Sequence, residues 1–414
     1  MVDNNLHTAT NSSFPPSDWV ETTLGKVAEI NPTESLQKGK ITKCVPMNCI
    51  DSFTRQISRY QEKEFQGGMK FRNGDTLLAR ITPCLENGKT AFVDFLDENE
   101  IGFGSTEYIV IREKQGLSDK KFLYYWTISP RFREIATKAM TGTSGRQRVQ
   151  TDVLVNKLFF LPPLPEQQAI ASVLSSFDDK IELLRNENKT LEEMGQVIFA
   201  EWFGKYRVDD ELPNGWKVGN LGEEKFAEII GSGIDRFDGE KIYLATADVS
   251  GSNIINTNEK ITFHKRPSRA NMQPIEKSIW FAKMQDSRKL LMLDYYSKYE
   301  LENFILSTGF AGIKTTEISH YFIWCFILSK GFDELKNNMA NGAVQIAVNN
   351  TNLKKIEIII PDERTLIKFN ELANPIFQKI YNNNYQIQFL ARSRDELLPK
   401  LISGELRVND FNNS

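Results

Sequence analysis

From Ile170 onward, apolar side chains return at alternating steps of four and three. The series runs Ile170, Leu174, Phe177, Ile181, Leu184, then Asn188, Leu191, Gly195, Ile198 and Trp202. That alternation is a heptad seam and predicts a long helix with a narrow apolar stripe. A second seam stands 199 residues later: Phe369, Ala373, Ile376, Ile380, Asn383, Ile387, Leu390, Arg394, Leu397 and Leu401. Pro162, Pro163 and Pro165 mark the start of the first helix, and Pro361-Asp362-Glu363 that of the second. Gly204 and Gly404 stand where each should stop.

The rest of the chain has a mixed pattern. Short apolar or β-branched runs (Glu107–Ile111, Leu158–Leu161, Glu357–Ile360) predict strands separated by Gly, Asn and Pro turns. These stretches are also repeated. Trp19-Val-Glu-Thr-Thr-Leu24-Gly25 returns as Trp216-Lys-Val-Gly-Asn-Leu221-Gly222. Asp75-Thr-Leu-Leu-Ala79-Arg80 returns as Ser278-Ile-Trp-Phe-Ala282-Lys283, and Ser105-Thr106 as Ser307-Thr308. Each match is weak by itself, but their shared order and nearly shared offset identify one unit of about 200 residues written twice.

A stripe of this kind needs a partner, and the two helices supply each other. The pseudo-twofold of the duplication favours an antiparallel coiled coil. Pairing Ile170 with Leu401 sets partner numbers that sum to 571, so Asn188 faces Asn383, and Arg394 lies beside Phe177 and the acidic pair Asp178-Asp179. A buried Asn–Asn pair is a register-fixing device; two solvated amides at the seam edge are the plainer alternative. Thirty-five helical residues span about 50 Å, and a turn of B-DNA is about 34–36 Å. Two mixed domains carried by such helices have the reach for half-sites in successive grooves.

The chain has 414 residues, with 25% charged and 40% hydrophobic, which is ordinary globular composition for two or three domains. Its longest apolar run, Tyr321–Leu328, falls far short of the roughly twenty residues that span a bilayer, and no secretory signal is visible. A cytoplasmic protein with reduced thiols and no membrane association is expected. Four cysteines without a CxxC pair and three histidines are too few for a zinc module.

Net charge is −3, which excludes a uniformly basic nucleic-acid coat but not a local basic face. Arg131–Lys157 holds six Lys/Arg against two acids, and Lys260–Lys289 eight against two. Glu166–Glu193 on the first helix carries seven acids and three bases. Phosphate neutralisation needs such local surfaces, although a solvated charged face explains either segment singly. Within the first lies Thr141-Gly-Thr143-Ser-Gly-Arg146-Gln147-Arg148. Arginine can bond guanine bidentately and glutamine can bond adenine. The matching place in copy two, Ala340-Asn-Gly-Ala-Val-Gln345, keeps the glutamine and loses the arginines, so the two copies should read different bases. An ordinary surface turn is the competing reading.

Gly88-Lys89-Thr90 is no phosphate loop, since Pro83 occupies the position of the required glycine. Asp178-x-Lys180 and Glu334-x-Lys336 match only the tail of a nuclease motif. No HExxH, no glycine-rich S-adenosylmethionine loop and no nucleophile in a diagnostic setting is present.

Taken together, the Trp-x4-Leu-Gly opening, the Gly74-Asp-x-Leu-x-Ala-Arg80 strand, the Gly/Gln loop and Pro162-Pro-Leu-Pro-Glu-Gln167 leading into a heptad helix, all written twice, resemble the specificity subunit of type I restriction–modification enzymes. The resemblance covers essentially the whole chain. Copy two departs from it at Ile360-Pro361-Asp-Glu-Arg364 and at Lys277-Ser278. It implies an α+β fold with two mixed target recognition domains (1–161 and 205–360), two long helices (162–204 and 361–403) and a tail (404–414). It implies that each domain reads one half of a bipartite, asymmetric site on double-stranded DNA. It also implies two methyltransferase subunits docked on this chain, and restriction subunits. Those partners use S-adenosylmethionine, ATP and Mg; this chain has no catalytic residue, metal or cofactor of its own. On that reading Arg80, Ser105, Thr106, Thr143, Arg146, Gln147 and Arg148 are the DNA candidates in copy one, and Lys283, Ser307, Thr308 and Gln345 in copy two. Lys265, Arg266 and Arg269 are candidate phosphate contacts. Ser105 and Ser307 could equally satisfy local backbone bonds. The alternative is a coiled-coil protein scaffold that touches no nucleic acid; a self-contained DNA methyltransferase is disfavoured by the missing cofactor loop.

Overall fold

The computed structural model describes residues 15–143, 145–222, 226–340 and 347–408. Two compact units divide the chain: the first comprises Met1–Leu183 and Ile387–Ser414, the second Leu184–Gln386. Both heptad segments form uninterrupted helices, Leu164–Phe203 and Glu363–Ser403. Each unit therefore contains one mixed α/β part and one half of each long helix.

The two mixed parts have the same topology. In the first unit an antiparallel sheet runs Ala28–Ile30, Tyr108–Glu113, Thr76–Ala79, Thr90–Phe92. A second sheet runs Gln61–Glu64, Ile41–Val45, Gly102–Gly104, Met69–Phe71, its central pair parallel. The second unit repeats both sheets. One runs Ala227–Ile230, Phe310–Thr315, Ser278–Ala282, Leu290–Leu293; the other Lys260–Ile261, Lys241–Leu244, Phe304–Ser307, Ala270–Met272. The strands Thr76–Ala79 and Ser278–Ala282 are buried at every position, which is why they read as continuous apolar runs rather than as alternation. Helices Lys120–Ile128 and Pro130–Lys138 pack beside the first sheets; His320–Leu328 and Lys330–Asn338 stand in the same order in the second unit. Strand Val20–Thr23 pairs with Leu158–Leu161, and Lys217–Asn220 with Glu357–Ile360, each handing the chain to a long helix.

The repeated Trp-x4-Leu-Gly opening has a physical reason. Trp19 Nε1 donates to Glu166 at 3.0 Å, and Trp216 Nε1 to Asp362 at 2.9 Å, so each indole binds a carboxylate at the start of a long helix, Glu166 in the first turn and Asp362 at the cap before Glu363. Asp362 thus does in copy two what Glu166 of the Pro-Glu-Gln string does in copy one. Leu24 and Leu221 are fully buried. A Cβ on Gly25 would lie 2.6 Å from Val155, and one on Gly222 2.8 Å from Lys354, so both positions require glycine for close approach. Gln167 is buried and fully used: its Nε2 donates to the carbonyls of Pro162 and Leu117, and its Oε1 accepts from Asp119 N. The Lys277-Ser278 departure keeps the backbone, for Lys277 takes a left-handed φ of 56° where Gly74 has 95°.

Within each unit the helix halves run antiparallel. In the first, Ile170 and Leu174 share a core with Leu398, Leu401 and Ile402, together with Trp126 and Phe159 from the mixed part. Tyr125 donates to Asp178 Oδ2 at 2.6 Å, and Arg394 pairs with Oδ1 of the same buried carboxylate. Arg55, 4% exposed, docks the mixed part onto the helix through Glu182 (3.0 and 2.8 Å) and Asp179 (2.6 Å). In the second unit Phe377 fills the space over Gly195, 2.9 Å from where a Cβ would lie. Leu366, Phe369, Ala373, Ile376 and Ile380 join Phe203, Tyr321 and Phe322 in one core. The second helix ends at Gly404 with a left-handed φ of 78°; Gly204 ends the first without one. Among the described residues no helix is long and apolar enough to cross a membrane.

Candidate nucleic-acid interface

In the first unit the candidates from three separate stretches meet on one edge. Arg80 follows strand Thr76–Ala79, and its N–H donates to the Glu107 carbonyl at 3.0 Å. Its own carbonyl accepts from Val149 N at 2.8 Å. Thr82 N donates to the Gln147 carbonyl at 3.0 Å, and Ile81 bridges to Arg148. The Gly/Gln loop, closed by the pair Met140–Thr141 with Arg148–Val149, is thereby held beside the end of the central strand. Thr143 accepts from Arg146 N at 3.0 Å within it. Thr106, Thr143, Arg146 and Arg148 are exposed, Gln147 and Arg80 half-buried.

Glu107, which the apolar run Glu107–Ile111 assigned to a strand, stands in the turn before it; the strand begins at Tyr108 because the Ser105 hydroxyl accepts the Glu107 N–H at 3.1 Å and closes that turn. From there its carboxylate takes Arg80 Nε at 3.1 Å, Arg148 Nε at 3.0 Å and Arg148 Nη2 at 2.7 Å. Arg148 above all, with Arg80, holds the Glu107 carboxyl below the ordinary range.

The second unit builds the same backbone frame. Lys283 N donates to the Gly309 carbonyl at 2.9 Å, its carbonyl accepts from Val348 N at 3.0 Å, and Met284 bridges to Ala347. The side chains differ. Lys283 replaces Arg80, Gly309 replaces Glu107 and Ala347 replaces Arg148. Lys283 has no acidic side-chain partner among the described residues, and burial lowers its pKa. Ser307 is buried and its Oγ accepts from Gly309 N at 3.1 Å, as Ser105 does in copy one. Thr308 N donates to the Arg269 carbonyl at 2.8 Å, and an Arg269 Nη2 lies 3.4 Å from where a Cβ on Gly309 would be, so Arg269 belongs to the frame. Gln345 lies outside the described residues.

The basic segments are not open surfaces along their length. In Lys260–Lys289, Lys260 pairs with Glu240, Lys277 with Asp294 and Glu317, and Arg288 with Asp333. Lys289 Nζ is given to the carbonyls of Thr246 and Val249. Arg266 bonds the Phe263 carbonyl and stacks its guanidinium on that ring at 4.4 Å. Lys265, Arg269 and Lys283 are left without an acidic side-chain partner among the described residues. Charge counting missed this, since it cannot see which cations fold inward. In copy one Arg133 is similarly committed, to the carbonyls of Leu85 and Glu86.

The helix pair Asn188 and Asn383 also meets: Asn383 Nδ2 donates to Asn188 Oδ1 at 2.8 Å, with both residues buried. Among the described residues no group of His, Cys, Asp and Glu is placed to hold a metal ion.

Residues 16–193 match the family described as the type I restriction modification DNA specificity domain. The chain is 30% identical over 313 residues to the type I restriction enzyme MjaIX specificity subunit of Methanocaldococcus jannaschii, covering 70% of each chain. It is 23% identical to the HindI specificity subunit of Haemophilus influenzae, across 94% of this chain and 100% of that one. In fold it is similar to the crystal structure of the type I restriction-modification system S subunit from M. genitalium, with a TM-score of 0.51 at 15% identity over 95% of this chain and 98% of that one.

Proposed function

This chain belongs to the DNA specificity subunits of type I restriction–modification systems, and from that premise we propose that each unit reads one half of a bipartite, asymmetric DNA target. The chain is a DNA-recognition subunit and not itself an enzyme. One observation carries the proposal: a single backbone frame occurs twice and presents different side chains. Arg80, Arg148 and Glu107 stand on it in one unit, Lys283, Ala347 and Gly309 in the other. Base edges are read by side chains, so two frames of the same shape with different chemistry read unlike sequences. Arg146, Gln147, Thr106 and Thr143 extend the first frame; Thr308 and Arg269 extend the second. Lys265, on the loop after Lys260–Ile261, is a phosphate contact, and Gln345 is a base contact by its place in the repeat.

In this reading the long helices running from one unit into the other set the spacer. They also dock two methyltransferase subunits, with restriction subunits completing the complex in the cytoplasm. S-adenosylmethionine, ATP and Mg are used by those partners and not by this chain. The test is methylation of a genomic DNA pool by the chain co-expressed with its modification subunits, read by single-molecule sequencing. A methylated motif of two unequal halves around a fixed gap is the expected result. An assembled, cofactor-loaded complex that methylates no such motif overturns the reading in favour of a protein scaffold.

A further inference from the structure

We infer that Glu107 is the positioning residue of the first reading frame: with Arg148 as a counter-arm, its carboxylate fixes Arg80 so that the two Nη groups of Arg80 meet a guanine. This rests on the frame being a DNA-contacting one. The three side chains are not used alike. Arg148 turns Nε and Nη2 onto Glu107, so its own two-donor edge is spent on the protein. Arg80 gives Glu107 only Nε. Among the described residues Nη1 and Nη2 of Arg80 have no partner, and the residue is half-buried at the end of the central strand. Guanine offers O6 and N7 as two acceptors side by side, which is what a free end-on guanidinium pair matches.

The clamp is rigid at both ends. The Glu107 main chain is tied to Arg80 N and to Ser105 Oγ, and Arg148 is tied by its bridge to Ile81. An arginine already held in place loses less rotamer freedom on binding. The carboxylate has a second effect. Two guanidiniums around one carboxylate carry less net charge than two alone, so attraction to phosphates of any sequence is reduced while the base-reading edge is kept. In the second unit Gly309 and Ala347 leave Lys283 as a point charge without a clamp, so this guanine device belongs to one half-site only.

The experiment uses the chain assembled with its modification subunits and compares methylated motifs for wild type, Glu107→Gln, Arg80→Ala and Arg148→Lys. Glu107→Gln and Arg80→Ala are expected to relax the same guanine position by roughly 5- to 150-fold, leaving the other half-site unchanged. Glu107→Gln is also expected to bind unrelated DNA more tightly and with a steeper salt dependence, a change that a purely structural role would not produce. If Glu107→Gln keeps discrimination at every position, or relaxes one that Arg80→Ala leaves intact, the clamp is overturned. If Arg80→Ala leaves motif and affinity unchanged, the DNA-contacting reading of the frame fails as well. Should Glu107→Gln not assemble, Arg148→Lys decides: relaxation at the Arg80 position supports the clamp and an unchanged motif overturns it.

Discussion

Asn383 Nδ2 donates to Asn188 Oδ1 at 2.8 Å, with Ile380 and Leu184 of the two seams buried beside them. Glu187 Oε2 accepts from Asn383 at 2.9 Å, and Asn384 Oδ1 accepts from Asn188 at 2.7 Å. Both heteroatoms of the Asn188 amide and Nδ2 of Asn383 are bonded in this register, while Asn383 Oδ1 is buried without a partner among the described residues; sliding one helix by a turn of about 5.4 Å breaks the Asn188–Asn383 bond. A buried polar pair of this kind costs stability relative to leucine and returns specificity of pairing.

Replacing one partner, as in Asn383→Leu, leaves the Asn188 Oδ1 without its donor and is expected to cost about 1–3 kcal/mol. The double exchange Asn188→Leu/Asn383→Leu should recover most of that loss while loosening the register. Urea denaturation of the four species gives the coupling directly. Additive single losses in the double variant would show that the pair does not act as a unit.

Arg394 tests a different kind of burial. It is 7% exposed and its acid, Asp178, 2%. Asp178 accepts from Tyr125 as well, and Asp395 holds the outer edge of the guanidinium at 2.7 Å. Removing the cation leaves a carboxylate in low dielectric with one neutral donor. Arg394→Met is therefore expected to cost about 3–5 kcal/mol. A paired Arg394→Met/Asp178→Leu exchange should cost much less. Equal losses in the two variants, measured by thermal unfolding, would mean that packing rather than charge governs the site.

The long helices were legible because a 3-4 repeat needs no tertiary information, and the strands Leu158–Leu161 and Glu357–Ile360 fell where apolar runs placed them. Gln61–Glu64 was not legible: it is a strand with all four side chains exposed, held only by its backbone ladder to Ile41–Val45. Nor was Gly102–Gly104, whose glycines are there to admit Phe71 and Tyr108. The candidate face was legible in part. Its arginines carry a residue-type signal, while Glu107 looked like the first residue of a strand because its two partners lie 27 and 41 residues away. Arg55 was silent for the same reason, since its carboxylates are more than a hundred positions distant.

Lys283 predicts a pH dependence of DNA binding by the second unit. Burial, with no acidic partner among the described residues, holds its ammonium below the ordinary lysine value of 10.5. A phosphate or base acceptor at Nζ favours the charged form, so binding takes up a proton in the window between the lowered value and 10.5. Affinity is expected to fall as pH rises into that window. Lys283→Arg, charged throughout, should remove the slope. Titrations by fluorescence anisotropy from about pH 7 to about pH 10 check this, and parallel curves for the two proteins would refute it.

His320 predicts a pH dependence of folding. It opens helix His320–Leu328, is fully buried, and shares a 2.7 Å hydrogen bond through Nδ1 with Thr315 Oγ1. Nε2 lies 3.9 Å from Asp294 Oδ2, and Lys277 bonds the same acid. Burial outweighs the pull of Asp294, Lys277 adds to the burial effect, and the imidazole pKa drops to about 4 from 6.5. A position in the first turn of a helix also disfavours a cation. Above pH 6.5 the ring is neutral whether the chain is folded or not. Below it the unfolded chain takes a proton that the fold refuses, so stability is lost as pH falls from 6.5 to about 4. The loss approaches about 3 kcal/mol at the lower end. Carboxylates contribute their own losses, and the difference between wild type and His320→Gln cancels them. That difference, from urea denaturation at stepped pH, should shift in favour of the variant as pH drops through the window. A difference that stays constant from neutral pH to pH 4 would place the histidine in water or charged in the fold, against the geometry around Thr315 and Asp294.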